Sequence, residues 1–312
     1  MIRQVHIMSG SELNIHASPV AEGARFQVGS ATAFAVRKES KDVALRIRRE
    51  FHPLRDAMER VPFLRGIVRL LGGAADFLDG VAESAQLMPQ MIVKGTRFEQ
   101  RFAELFRGRP TSLVAAGSAL VILLMLGGLV GVGPWALARY VLPRFELPRP
   151  AINAIACAAR VLCGLLCALL VPRLRVVSRF CMYRGAINKV LNAPAGRDGQ
   201  VSMEQADQAS PYSRRSDAAF TVEVLLLSVV AFALVRTFTL PVQLLVRALI
   251  VLALAALVNE PLRLLEKAPP RGLPGALSAF HRWLERRLVR EPHAQMVEVA
   301  VYAFNAAREN DK

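Results

Sequence analysis

Residues 152–170 read INAIACAARVLCGLLCALL, an apolar run that only Asn153 and Arg160 interrupt with strongly polar side chains. A helix of about 20 such residues crosses the roughly 30 Å of hydrocarbon in a bilayer. Three further blocks have similar length and composition: Ser112 to Leu137, Ala218 to Val235, and Leu240 to Val258. The sequence therefore predicts a mainly α, polytopic membrane protein with about four transmembrane helices.

The segments outside these blocks follow other patterns. Residues 1–52 are polar, with an alternating stretch at Ala31–Val36, which predicts a small N-terminal β element. Residues 53–110 repeat apolar side chains at three- and four-residue steps, which predicts amphipathic helices. Whether 62–86 lies on the membrane or packs on the soluble part stays open. The predicted division is 1–52 (cytoplasmic β element), 53–110 (amphipathic or interfacial helices), 111–262 (four-helix transmembrane region with a cytoplasmic loop at 173–217) and 263–312 (C-terminal cytoplasmic helices).

The distribution of positive charge predicts the orientation. The chain has 40 Lys and Arg against 25 Asp and Glu, although 53% of its residues are hydrophobic. Arginines concentrate before the first apolar block, in 173–217 and after 263, and basic segments of this kind stay on the cytoplasmic side. The first residues lack the apolar core of a cleavable signal peptide. We therefore expect a multi-pass protein with both termini in the cytoplasm.

The same charge balance bears on partners and cofactors. Anionic phospholipid is the expected counter-charge, and a protein partner or homo-oligomer also stays open. Nucleic acid is not expected, because no nucleic-acid motif occurs and aromatic residues, at 7%, are too few for a stacking surface. No cofactor is expected. The four cysteines form no Cys-x-x-Cys pair and are typical of small buried thiols rather than a disulfide frame or zinc site: Cys157, Cys163, Cys167 and Cys181.

Ionisable residues within the predicted spans are costly and mark candidate sites. Arg160, Glu223 and Arg247 lie in three different spans, and together they would leave a net positive pocket suited to an anionic headgroup. The alternative, which we favour, is a structural cluster. Glu260 and Arg263 lie three residues apart at the cytoplasmic end of the last span, so we expect them to pair locally.

Several short motifs resemble those of one family in the same order. Val20-Ala21-Glu22-Gly23, followed by Phe34-Ala35-Val36-Arg37-Lys38, is similar to its opening, and Val61-Pro62-Phe63-Leu64-Arg65-Gly66 to its Pro-Phe-Leu-Arg-Gly stretch. The chain thus resembles the YqhQ-like membrane proteins over nearly its whole length. The resemblance implies a place in the bacterial cytoplasmic (inner) membrane. It also implies a metal site, since this family of unknown function is often described as predicted metal-dependent enzymes.

Two clusters depart from the family pattern. The family's Tyr-His-Gly-Ala-Glu-His-Lys-Thr is here Tyr183-Arg184-Gly185-Ala186-Ile187-Asn188-Lys189-Val190. Its His-Pro-Arg-Cys-Gly-Thr-Ser-Phe is here Ser213-Arg214-Arg215-Ser216-Asp217-Ala218-Ala219-Phe220. Transition metals need converging imidazole, thiolate or carboxylate donors, and these positions supply a fixed cation, an amide and hydroxyls. We therefore predict no metal site and no catalytic residue there.

Three functions stay in view. The first is a non-catalytic membrane protein that acts as a scaffold, associates with lipid or binds a partner. The second is a membrane-bound enzyme, metal-dependent through replacement ligands or using a nucleophile and base drawn from Glu22, Lys189, Ser213, Ser216 and Asp217. The third is a small-solute transporter, which the lack of an internal repeat disfavours.

Overall fold

The N-terminal part of the chain forms one small sheet. The computed structural model describes residues 15–20, 22–38, 42–50, 53–87, 137–145, 148–173, 175–196, 199–213, 216–234, 240–265 and 272–311. Four antiparallel strands follow one another in chain order: β1 (Ile15–Val20), β2 (Gly23–Val28), β3 (Ala31–Arg37) and β4 (Val43–Arg49). A Cβ at Gly23 would overlap the carbonyl oxygen of Ala35 on the neighbouring strand, so only glycine fits there.

The described residues also form nine α-helices, which confirms the prediction of a mainly helical chain with a small N-terminal sheet. Their bounds are α1 (Pro53–Arg60), α2 (Leu64–Leu87), α3 (Arg149–Leu170), α4 (Arg175–Asn192), α5 (Met203–Gln208), α6 (Asp217–Leu234), α7 (Leu240–Leu265), α8 (Gly272–Leu288) and α9 (Ala294–Asn310). The region 173–217, predicted as a loop between spans, therefore contains α4 and α5. These helices could not be predicted from the sequence because their local sequence is polar. Their apolar side chains are buried against distant parts of the chain.

One face of the sheet builds the main apolar core. Alternate residues of β2 and β3, among them Phe26 and Ala33, pack with buried residues of α4 and α9. The rings of Phe26 and Phe304 meet edge to face with centroids 5.5 Å apart. The C-terminal helix α9 is thus an integral part of the sheet domain, although some 250 residues separate the two.

The other face of the sheet is charged and binds α1 and α2. Arg25 is only 2% exposed and lies 2.8 Å from Asp76 of α2 and 3.1 Å from Glu50. Arg55 of α1 donates two hydrogen bonds to the same Asp76, at 3.1 and 3.0 Å. Burial alone would raise the pKa of Asp76, but Arg55 and Arg25 hold it below its usual range. The second half of α2 therefore packs on the sheet through ion pairs.

The first half of α2 packs against α7. A Cβ at Gly66 would overlap the carbonyl oxygen of Ala255 and come within 2.9 Å of the Cβ of Asn259. An ion pair and a hydrogen bond secure this contact: Arg65 pairs with Glu260, and Arg69 donates to the side-chain oxygen of Asn259 at 3.2 Å. Helix α2 thus connects the sheet domain to the apolar helices.

Two described stretches are long and apolar enough to cross a membrane, Ala151–Arg173 in and just after α3 and Leu245–Arg263 in α7. Few of their residues are buried inside the protein, and leucines such as Leu162 and Leu245 stay more than half exposed. Helix α6 occupies the third predicted span. The first, at 112–137, lies outside the described residues except for Leu137. Four spans therefore stay a prediction.

The charged face of the sheet makes stability depend on pH through His16. Arg55 donates to His16 Nδ1 at 3.2 Å, which fits a neutral imidazole. Burial, with the positive charge of Arg55, lowers the pKa of His16. The unfolded chain therefore binds more protons, so this stabilisation is complete above about pH 6.5 and is lost as the pH falls through the lower, folded value. We expect the wild type to lose more stability than His16→Gln between neutral and mildly acid pH, as measured by thermal unfolding. Equal losses in the two proteins would contradict this.

Candidate functional site

Helix α4 gathers the family-motif positions at one place. Arg184 and Asn188 lie one turn apart on α4, and the chain from 209 to 213 runs back along this helix. Asn188 and Asn192 hold that segment by donating to the carbonyl oxygens of Pro211 and Ser210, each at 2.8 Å. The two motif segments converge as a result. We call their meeting point the motif cluster, defined by Arg184, Asn188, Ser213, Ser216, Asp217 and Glu285.

One half of the motif cluster is an ion-pair hub at the start of α6. Asp217 lies 3.4 Å from Arg184 of α4 and 2.7 Å from Arg69 of α2. The guanidinium of Arg69 also covers the ring of Phe220 at 4.5 Å. Ser216 caps α6, since its hydroxyl oxygen accepts the amide of Ala219 at 3.2 Å. Each polar side chain in this half therefore joins one helix to another or ends a helix.

The other half of the motif cluster surrounds a carboxylate that sequence reasoning missed. Glu285 of α8 is 2% exposed, and its Oε1 accepts from Asn188 Nδ2 at 3.2 Å and from the amide of Ser213 at 3.3 Å. Its Oε2 is buried with no hydrogen-bond partner. Nothing in the sequence indicated this role, because Asn188 and Glu285 are 97 positions apart and no motif links them.

Glu22 and Lys189 also lie in defined contacts beside α4. Glu22 follows β1 with φ +56° and pairs with Arg179 of α4, and it is hydrogen-bonded to Tyr183. Burial raises the pKa of both Glu22 and Tyr183 despite the nearby Arg179. Lys189, 7% exposed, donates to the carbonyl oxygen of Asp207 at 3.1 Å and pairs with Glu291 at 2.8 Å. These side chains dock the sheet and α5 on α4.

The donors at the motif cluster do not fit a transition metal. Within the described ranges, no three His, Cys, Asp or Glu side chains lie together as possible ligands. Asp217 pairs with Arg184, and Glu285 Oε1 accepts from Asn188, while the guanidinium of Arg184 would repel a divalent cation. Burial raises the pKa of the nearby Cys181 thiol to about 11, so it stays protonated at neutral pH.

The residues predicted for an intramembrane pocket have other neighbours. Glu223 of α6 lies 2.9 Å from His281 of α8, and both are buried. Arg247 of α7 lies over the ring of Phe232 at 5.4 Å. In the part of the chain that the structure describes, neither Arg160 nor Arg247 forms an ion pair with Glu223. Sequence reasoning missed His281, because no motif connects it with Glu223, 58 positions earlier in the chain.

At the end of α7, Glu260 pairs across helices. Both of its oxygens accept from Arg65 of α2, with Arg65 Nε at 2.6 Å from Oε1, and the amide of Phe63 donates to Oε1 at 3.1 Å. The expected partner, Arg263, adds positive charge nearby. Glu260 therefore has a long-range partner in Arg65, which the three-residue spacing did not predict.

These features define a class of protein: a helical chain with apolar helices of membrane-crossing length, an N-terminal sheet, and a motif cluster held by internal pairing. The chain belongs to the family described as "Protein of unknown function (DUF1385)", whose model matches residues 61–310. It is 23% identical over 300 residues to "Uncharacterized protein YqhQ" of Bacillus subtilis (strain 168), covering 92% of this chain and 89% of that protein. This confirms the resemblance seen in the motifs. No solved structure is significantly similar to the chain.

Proposed function

We propose that this chain is a non-catalytic integral membrane protein of the bacterial cytoplasmic membrane, with both termini in the cytoplasm. It acts as a scaffold that fixes its sheet domain to the membrane-embedded helices and associates with anionic phospholipid. The blocks at 112–137, α3, α6 and α7 cross the bilayer in this arrangement. The exposed leucines of α3, α6 and α7 then face lipid, where an apolar surface carries no cost.

One observation carries the proposal: the motif cluster is used for joining helices. Arg184, Asp217 and Arg69 link α4, α6 and α2, while Asn188 and Glu285 link α4 to α8. A catalytic site keeps groups directed at a substrate, whereas here Arg184 is directed at Asp217 and Asn188 at Glu285 Oε1. The other oxygen of Glu285 is buried and has no hydrogen-bond partner. The same contacts connect the sheet domain to the apolar helices, which is the physical requirement of a scaffold.

Lipid association is supported by the charge of the chain. A net charge of +15 concentrated in cytoplasmic segments attracts the anionic inner leaflet, by about 1 kcal/mol for each basic side chain near the surface. This attraction is screened by salt, with a Debye length of about 8 Å at physiological ionic strength. A scaffold of this kind would therefore carry a shell enriched in anionic lipid.

Elemental and lipid analysis of the full chain, purified in mild detergent, tests both parts. After growth with zinc and manganese supplied, we expect no stoichiometric metal, because the motif cluster lacks donors. We expect anionic phospholipid to be enriched over its share in the host membrane, and the enrichment to fall as salt rises. The variant Arg184→His/Asn188→His/Ser213→His/Ser216→Cys restores family residues and is the positive control for metal uptake.

Two results would overturn the proposal. One zinc or manganese bound per wild-type chain would revive the metal-dependent enzyme with replacement ligands. Release of the chain from membranes by alkaline carbonate would exclude an integral membrane protein.

A further inference from the structure

Helix α8 has a buried face and an unusual exposed face. His281, Leu284 and Glu285 are buried against α6, α7 and the motif cluster. The exposed face mixes large apolar and basic side chains: Leu277, Phe280, Arg282, Trp283, Arg286 and Arg287. Soluble helices usually expose polar residues on this side. Exposed Phe and Trp beside arginines are instead typical of helices that lie in a membrane interface.

The exposed face contains a shallow pocket. Arg282 and Arg286, one helical turn apart, line it together with Trp283 and Ala279. Phe280 stacks on Trp283 with ring centroids 6.0 Å apart, and the guanidinium of Arg287 lies 5.9 Å from the Trp283 ring. Two guanidinium groups beside an indole offer hydrogen bonds to a phosphate and an apolar surface next to it.

The position of α8 fixes its depth relative to the proposed membrane. His281 meets Glu223, six residues into α6, and a rise of about 1.5 Å per residue puts this contact roughly 9 Å along α6 from its cytoplasmic end. Interfacial helices bury their apolar side about 5–10 Å into the boundary between headgroups and acyl chains. The depth of α8 therefore matches that boundary.

We propose that α8 is an interfacial helix and that the pocket of Arg282, Trp283 and Arg286 binds the phosphate of an anionic membrane phospholipid. Trp283 and Phe280 then contact the upper part of the acyl chains. This rests on the proposed function, since it needs α6 and α7 to be in a membrane. A phospholipid satisfies both the guanidinium groups and the adjacent rings. Since α8 contacts α3, α6 and α7, its exposed face lies beside the proposed spans, which favours lipid over a soluble partner.

The fluorescence of Trp283 tests the proposal. The chain has two tryptophans, so Trp135→Phe leaves Trp283 as the only indole fluorophore. This variant is reconstituted in nanodiscs of phosphatidylcholine with phosphatidylglycerol, one of the two lipids being brominated at equal mole fraction. We expect brominated phosphatidylglycerol to quench Trp283 more strongly than brominated phosphatidylcholine, because the pocket enriches the anionic lipid next to the ring.

Charge variants identify the pocket. Adding Arg282→Gln and Arg286→Gln should lower the preference for phosphatidylglycerol on the order of tenfold, since each basic side chain near an anionic surface contributes several-fold. The matched control adds Lys38→Gln and Arg49→Gln, which remove two exposed positive charges from the sheet domain. The control should keep the preference.

Four other outcomes would contradict the inference. Equal quenching by the two brominated lipids, in discs whose protein still retains excess phosphatidylglycerol, would exclude the pocket and leave the proposed function intact. Trp283 that stays open to aqueous acrylamide in discs would show a surface for a soluble partner. Displacement by inorganic phosphate, but not by chloride at equal ionic strength, would assign the pocket to free phosphate. A chain that neither enters discs nor retains anionic lipid would overturn both proposals.

Discussion

Arg25→Gln should lower the free energy of unfolding of the sheet domain by about 3–5 kcal/mol, the usual cost of leaving buried charges uncompensated. Arg25 is 2% exposed, and it lies between Asp76, Glu50 and Asp79. Its guanidinium also lies 5.6 Å from the centroid of the Phe34 ring, so the loss removes packing as well as charge. Among the described residues, Arg55 would then be the close cation left to Asp76.

Hydrogen exchange of the β2 and β3 amides in the full chain measures this effect. A loss of 3–5 kcal/mol corresponds to roughly a hundred- to several-thousand-fold faster exchange through opening of the sheet. Arg49→Gln is the matched control: Arg49 is an exposed arginine on β4, opposite Ala31, and its loss should change stability by less than about 0.5 kcal/mol. Similar exchange rates in the two variants would show that the ion pairs of Arg25 contribute little to the stability of the sheet.

Local patterns in the sequence predicted the elements that depend on local chemistry. The apolar run at 152–170 became α3 and the alternating stretch Ala31–Val36 became β3, because hydrophobic periodicity is a property of neighbouring residues. The motif residues Arg184 and Asn188 also proved to be spatial neighbours of Ser213 and Ser216 through shared contacts with Asp217 and Glu285. A resemblance to a family carries such information, because it preserves which positions meet.

Pairings between distant charges could not be predicted in the same way. Arg65 meets Glu260 across 195 positions and His281 meets Glu223 across 58, and a single sequence contains no signal of such partners. Helix α8 shows the consequence. Leu277, Phe280 and Trp283 recur at helical spacing, yet all three stay exposed. Leu284 is buried together with His281 and Glu285, whose polar partners are Glu223 and Asn188. The spacing of apolar residues identifies which face of a helix is apolar, but it does not identify what packs against that face.

Gly66→Ala should destabilise the junction between the sheet domain and the apolar helices by about 1–3 kcal/mol, the usual cost of overpacking. The new methyl group would overlap the backbone of Ala255, which cannot rotate away as a side chain would. Helix α2 would have to move off α7. That movement would also stretch the pairs from Arg65 to Glu260 and from Arg69 to Asn259, which lie on either side of the contact.

Gly73→Ala in the same helix should instead increase stability. A Cβ at Gly73 meets no other atom within 4 Å, so the substitution only removes the helical penalty of glycine, about 0.5–1 kcal/mol. Thermal unfolding of the reconstituted chain compares the two variants. Each adds one methyl group to the same helix, at positions seven residues apart. A helix that tolerates both methyl groups would not be pressed against α7. The α2–α7 contact would then contribute no rigidity between the sheet domain and the apolar helices, and the motif cluster would have to supply the rigid connection that a scaffold requires.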